Sequence, residues 1–167
     1  IAEDNNGLIW LGTQGGLNSY DKKNKKFTRY QHDPDNPNTV SNDSIWTVFI
    51  DSNDMIWIGT EKGLDLFDKN NNIFTHFKHD PAKPQSIGKG RVQAVIEDRD
   101  GIIWVGTNGG GLNKFDNKTQ TFTHYLHDPK KPDSLKSNMI YSLMEDSHGD
   151  LWIGRSYSAP VGIEKFN

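Results

Sequence analysis

Cysteine is absent from the 167-residue chain. Disulfide staples and thiolate chemistry are therefore both excluded, and the redox compartment stays open between a reducing interior and export without disulfides. No hydrophobic stretch approaches the length of a membrane span. Basic charge is also short: 19 Lys and Arg against 22 Asp and Glu give a net charge of −3, with no Lys/Arg run to track phosphates. Nucleic acid is a poor partner for such a chain. No HExxH, nucleophile elbow or P-loop occurs. The chain begins in mid-pattern without a signal peptide, which suggests a piece of a longer protein.

What is present is a repeat. Trp10, Trp57, Trp104 and Trp152 are spaced by 47, 47 and 48 residues, and Gly12, Gly59, Gly106 and Gly154 follow two places after each. A second block keeps the same period: "FTRYQHDPDNPNTVSND" from Phe27, "FTHFKHDPAKPQSIGKG" from Phe74 and "FTHYLHDPKKPDSLKSN" from Phe122. Within a unit the periodicity is that of strands. "SIWTVFID" is β-branched and aromatic, "SND" turns the chain, and "MIWIGT" is apolar on both faces. "LDLFD" and "IFTHFK" complete four antiparallel strands, A to D, before a Pro-punctuated loop leads to the next unit. A strand apolar on both faces must be covered on both, and stacked four-stranded blades around an axis do this. The fold class is all-β, a β-propeller arc of about four four-stranded antiparallel blades. The blades run over 1–43 with strand A incomplete, 44–90, 91–138, and 139–167 with strand D missing. The uncovered end faces predict either continuation by further blades or self-association.

Positions repeated in every blade read as structure. Trp57 and its equivalents are expected between blades, and Gly59 as room for that ring or for a neighbouring strand. Thr13, Thr60 and Thr107 read as hydroxyl anchors of the adjacent turn. Asp4, Asp51, Asp98 and Asp146 open the A–B turns; they suggest a calcium loop, but later ligands are lacking, and turn capping is the favoured reading. His32, His79 and His127 sit in diverging outer places, unsuited to one zinc ion. No metal and no cofactor is expected.

Variation among blades is where function is sought. At the start of strand A the blades carry Trp46, Gln93 and Tyr141, and Arg91 stands where the others have Ser44 and Met139. The B–C turns vary as well, and the last one grows to "RSYSAP", with Arg155 in the threonine place and Tyr157 and Pro160 beyond it. Aromatic faces with amides and guanidinium groups suit carbohydrate. Trp46, Arg91, Gln93, Tyr141, Arg155 and Tyr157 are the candidate ligand residues. The alternative is that Trp46 and Tyr141 are merely packed near the axis.

The phrase "DRDGIIWVGTNGGGLNKFD", with its copies and the "HDP" blocks, resembles the two-component regulator propeller repeats of extracytoplasmic sensor regions in bacterial hybrid histidine kinases. That resemblance implies a fragment of a seven-bladed propeller in a membrane-anchored protein, periplasmic or extracellular, with membrane helix and kinase elsewhere. It also implies a sensor that binds an oligosaccharide or other small ligand without converting it, the segment itself not touching the membrane. A lyase- or hydrolase-type propeller enzyme and a protein-interaction scaffold are the competing readings.

Overall fold

A computed structural model describes residues 1–155 and 162–166; Tyr157 and Pro160 lie outside the described residues. The described residues form strands and turns, without helix. The first sheet runs β1 (Ala2–Glu3), β2 (Leu8–Thr13), β3 (Gly16–Asp21), β4 (Lys26–Tyr30), in chain order. The second runs β5 (Ile45–Ile50), β6 (Ile56–Thr60), β7 (Gly63–Asp68), β8 (Ile73–Phe77). The third runs β9 (Val92–Glu97), β10 (Ile103–Thr107), β11 (Leu112–Asp116), β12 (Thr121–Tyr125). The fourth has β13 (Ile140–Glu145), β14 (Leu151–Arg155) and β15 (Ile163–Phe166). Each sheet is an antiparallel meander, and β5 adjoins β9 as β9 adjoins β13. The first strand of each blade is therefore innermost, in the partial propeller expected of the repeat.

Burial follows position in the stack. All five residues of β6 and of β10 are buried, because these second strands are covered on both faces. In β2 only Trp10 is buried, and in β14 only Leu151 and Ile153. Three of the four tryptophans of the repeat meet a phenylalanine of the next blade edge-on: Trp10 with Phe67 at 5.9 Å, Trp57 with Phe115 at 5.2 Å, Trp104 with Phe166 at 5.7 Å. Such pairs add about 0.5–1.5 kcal/mol beyond the area they bury. Gly59 answers the choice the sequence left open. A Cβ there would lie 2.5 Å from Thr47 Cγ2 and 2.7 Å from the Val92 carbonyl oxygen, so the missing side chain makes room for innermost strands.

The acidic turns hold those indoles in place. Oδ2 of Asp4, Asp51, Asp98 and Asp146 accepts the Nε1–H of Trp10, Trp57, Trp104 and Trp152 at 2.9, 2.8, 2.7 and 2.8 Å. Oδ1 of the same residues accepts two backbone N–H groups of its own turn. Donor hydrogens thus converge on the carboxylates, the opposite of what a cation site requires. The indole bond, with the turn N–H groups, holds the Asp146 carboxyl down at about 2.

Neighbouring blades are also latched at these turns. Lys69, nearly buried, pairs with Asp4 and, at 2.7 Å, with Asp54, joining the first two blades. Burial alone would lower the Lys69 pKa, but the two carboxylates outweigh it and raise it. Asp54 sits at φ 63° where the other blades place Gly7, Gly101 and Gly149; an Asp tolerates this region and here contributes its carboxylate. The next boundary uses Ser52 on Glu97 at 2.6 and 2.7 Å, and the third uses Arg99 on Glu145 at 2.9 and 2.7 Å.

Candidate functional site

The innermost strands share one irregularity. In β5, Ile45 pairs with Thr60 and Thr47 with Gly59, which leaves Trp46 as the extra residue of a bulge. In β9, Val92 pairs with Thr107 and Ala94 with Gly106, leaving Gln93. In β13, Ile140 pairs with Arg155 and Ser142 with Gly154, leaving Tyr141. A bulge re-aims a side chain out of the alternation of its strand. Three equivalent positions of the innermost strands thereby leave the ladder register, and they carry an indole, an amide and a phenol.

Trp46 is 41% exposed, against 3% for Trp57 of the same blade. Arg91, just before β9, holds its Cζ 4.1 Å from the centroid of the Trp46 ring. The attraction between guanidinium and π face is worth about 0.5–1 kcal/mol at an exposed site. The indole N–H of Trp46 donates to Glu61 Oε2 at 2.8 Å. With the amides of Gln93 and Asn108 turned so that their oxygens face the guanidinium, Arg91 Nε donates to Gln93 at 2.6 Å and to Asn108 at 3.3 Å. Asn108 is itself fixed by its N–H to the Arg91 carbonyl at 2.9 Å. The result is an indole, a carboxylate, a guanidinium and two amides joined across the boundary of the second and third blades.

Of the predicted ligand residues, the structure brings Trp46, Arg91 and Gln93 together. Tyr141 holds the corresponding bulge on β13 and is half-buried. Arg155 pairs with Ile140, next to Tyr141, and its Nε lies 3.7 Å from Glu164 Oε2 on β15. In the other blades the same place holds Thr13, Thr60 and Thr107, whose hydroxyls bond the carbonyls of Gly16, Gly63 and Gly111 at 2.9, 3.0 and 3.2 Å, anchoring the turn as expected. Glu61 and Asn108 are the cluster members that sequence reasoning missed. Their signal was present, since both stand in the variable B–C turns.

Partial exposure of Trp46 places the cluster at the rim. Beside it, Gly109 and Gly110 line a cavity of about 310 Å³ with Lys89, His79 and Asn138. A larger one, about 710 Å³, lies on the outer side between β8 and β12, lined by His76, Phe77 and Phe122, and contains none of the predicted ligand residues. Among the described residues no group of three or more His, Cys, Asp or Glu is placed to hold a metal ion. His32, His79 and His127 instead close their own loops, Nδ1 meeting the carbonyls of Val40, Ile87 and Leu135 at 2.9, 3.0 and 2.5 Å.

Stacked meanders with innermost first strands make this chain an arc of a β-propeller. The model of the two-component regulator propeller family matches residues 39–62, 86–109 and 134–154. Among solved structures, the extracellular domain assigned to a hybrid two component system of B. thetaiotaomicron aligns with a TM-score of 0.78 at 25% identity, over 96% of this chain and 20% of that one. A second extracellular domain so assigned from the same organism aligns at TM-score 0.52 and 21% identity, over 95% of this chain and 25% of that one. A structure assigned as a gluconolactonase aligns at TM-score 0.65 and 8% identity, over 99% of this chain and 58% of that one. The last two likenesses are of fold alone. The chain spans a fifth to a quarter of the two extracellular domains. No curated protein sequence matches it.

Proposed function

We propose that these blades belong to the extracytoplasmic sensor region of a two-component signalling histidine kinase and bind an oligosaccharide at the inner rim without converting it. The observation that carries the reading is the bulge series, in which Trp46, Gln93 and Tyr141 stand at equivalent inner positions and Arg91, Glu61 and Asn108 gather around Trp46. An exposed indole face accepts the CH face of a pyranose, and planar amides and guanidinium groups accept and donate to hydroxyls. The match to the regulator propeller repeats and to extracellular domains of hybrid two component systems supports the sensing role and the location outside the cytoplasm.

Arg91 covers the face of Trp46, so a sugar stacking there must displace or share the guanidinium. Because Arg91 also holds Gln93 and Asn108 of the third blade, occupancy would alter a contact between blades, and a ligand preferring one arrangement shifts the population toward it. Titration calorimetry with a panel of neutral and acidic oligosaccharides, with product analysis on the same samples, tests the reading. Heat of binding with intact sugar, lost in Trp46→Ala, is the expected result. Turnover of the sugar would favour the enzyme reading that the gluconolactonase likeness in fold keeps in view, and silence in both would leave a scaffold.

A further inference from the structure

The loop from β8 to β9 departs from its two counterparts at neighbouring places. After β4, Asn42 Oδ1 accepts the Ser44 N–H at 2.9 Å and Asp43 Oδ1 accepts the His32 N–H at 2.8 Å. After β12, Ser137 Oγ accepts the Met139 N–H at 3.1 Å and Asn138 Oδ1 the His127 N–H at 2.7 Å. In register, the same places after β8 hold Lys89 and Gly90, and neither has a side-chain acceptor. The N–H groups of Arg91 and His79, which those acceptors would serve, have no acceptor among the described residues.

A change in the facing turn accompanies this loss. Four residues separate Thr107 from Leu112, where three separate Thr60 from Leu64. The longer turn brings the Asn108 carbonyl against Gly90, which sits at φ 90°, so no side chain fits there. It also brings Gly110 against Lys89, whose backbone nitrogen a Cβ on Gly110 would meet at 2.6 Å. Between the loop and this turn lies the cavity of about 310 Å³. His79 and Lys89 line it; Arg91, two residues beyond Lys89, stands outside its wall. Lys89 is exposed and its ammonium pairs with no carboxylate among the described residues. The carboxylate of the lining, Asp80, is committed, with Oδ1 accepting the Ala82 N–H at 3.0 Å and Oδ2 lying 3.7 Å from Lys83. An ammonium and a backbone N–H thus remain uncompensated at one cavity, beside an apolar wall of Leu126, Pro81 and Pro84.

We propose that this cavity binds a small organic acid about the size of one sugar ring, through a carboxylate or sulfate ester held by Lys89 and the His79 N–H. A charged oxygen acceptor gains more from such donors than a hydroxyl does, which sets the acid above its neutral analogue. The volume stands at the lower end of small-molecule sites, about 300–1,000 Å³, so the body of the ligand is accommodated as well as its charge. The apolar wall takes the C–H surface of that body.

The inference goes beyond the ligand reading of the rim and is independent of it, because Trp46, Gln93 and Tyr141 do not line this cavity. Its test is amide NMR on the isotope-labelled full chain, titrated in turn with glucuronate, a glucose sulfate ester, glucose and acetate. Saturable movement of the His79 amide signal is expected with one or both sugar acids, and the tighter of the two names the charged group. Glucose should leave that signal in place, and acetate should bind more weakly than glucuronate. Lys89→Asn, which installs the residue of the first loop, should weaken the acid about tenfold or more, as loss of a charged hydrogen bond dictates, while Lys89→Arg retains it. Because the four probes are compared on the unaltered chain, a folding defect in either variant leaves the test intact. No movement of His79 with either sugar acid, equal movement with glucose, acetate binding as tightly as glucuronate, or full affinity in a folded Lys89→Asn would overturn the proposal.

Discussion

Trp57 and Trp46 belong to the same blade and lie on paired strands, yet they follow opposite rules. Trp57 sits in the alternation of β6, is held by Asp51, and is sealed by Phe115 of the next blade. Trp46 sits in a bulge of β5, is held by Glu61, and faces a guanidinium and solvent. A side chain kept in register serves the stack and repeats; one displaced from register is free to vary. The blade boundary and the inner rim are thus separated by a single extra residue in the innermost strand.

The largest test of this contrast is Trp57→Ala, expected to cost about 3–5 kcal/mol in denaturant melts because it leaves a cavity between two blades. Loss of less than about 1 kcal/mol would mean that the boundary repacks and that the repeat does not mark the core. Next comes Asp98→Ala, which removes an acceptor from the Trp104 indole and from two turn N–H groups. It should cost about 2–3 kcal/mol, within the range for hydrogen bonds to a charged group. Asp146→Ala, on the end blade, should cost clearly less, and equal losses would erase the distinction between inner and end blades.

Two pH limbs sharpen the comparison further. The Asp65 carboxylate and the Pro37 carbonyl raise the pKa of His76 above its ordinary 6.5. Its contribution is therefore complete below 6.5 and fades as pH rises through the folded value, so stability should decline on that limb and His76→Gln should flatten it. Asp146, held down at about 2 from 3.8, acts in the opposite sense. Its contribution is present above 3.8 and is lost as pH falls toward 2, and melts of Asp146→Asn should lack that acid step. The smallest expected effect is that of Trp46→Ala, about 1 kcal/mol or less in a melt, as for an exposed cation–π contact. A large loss would return Trp46 to the class of Trp57 and remove it from the rim.

The repeat made the architecture readable, because a period that recurs with Trp, Gly and Asp in fixed places leaves few ways to bury both faces of "IWIGT". Residues that act within one unit were legible for the same reason: Thr60 with its turn, Asp51 at the head of its hairpin, Trp46 and Gln93 as positions that vary. The indole bond of Asp51 was not read, although both partners are invariant across the four units, since only the turn geometry brings a carboxylate and an indole six residues apart into contact. Glu61 and Asn108 were visible as variable turn residues but not as partners of Trp46 and Arg91, which lie on other strands. Arg155 shows the same limit. Its departure from threonine was plain in the sequence, whereas its approach to Glu164 depends on the pairing of β14 with β15.

Sequence alone determined the strand period, the turn chemistry and the stacking of the blades, because these follow from side chains a few residues apart and from the need to cover apolar faces. Only the tertiary structure decided where the innermost strands slip by one residue, which puts Trp46 beneath Arg91 and gathers two blades into one rim. The physical reason is that a bulge costs the local sequence no change of composition. It arises when the first strand of one blade must fit against the glycine of another, a constraint that no single unit contains.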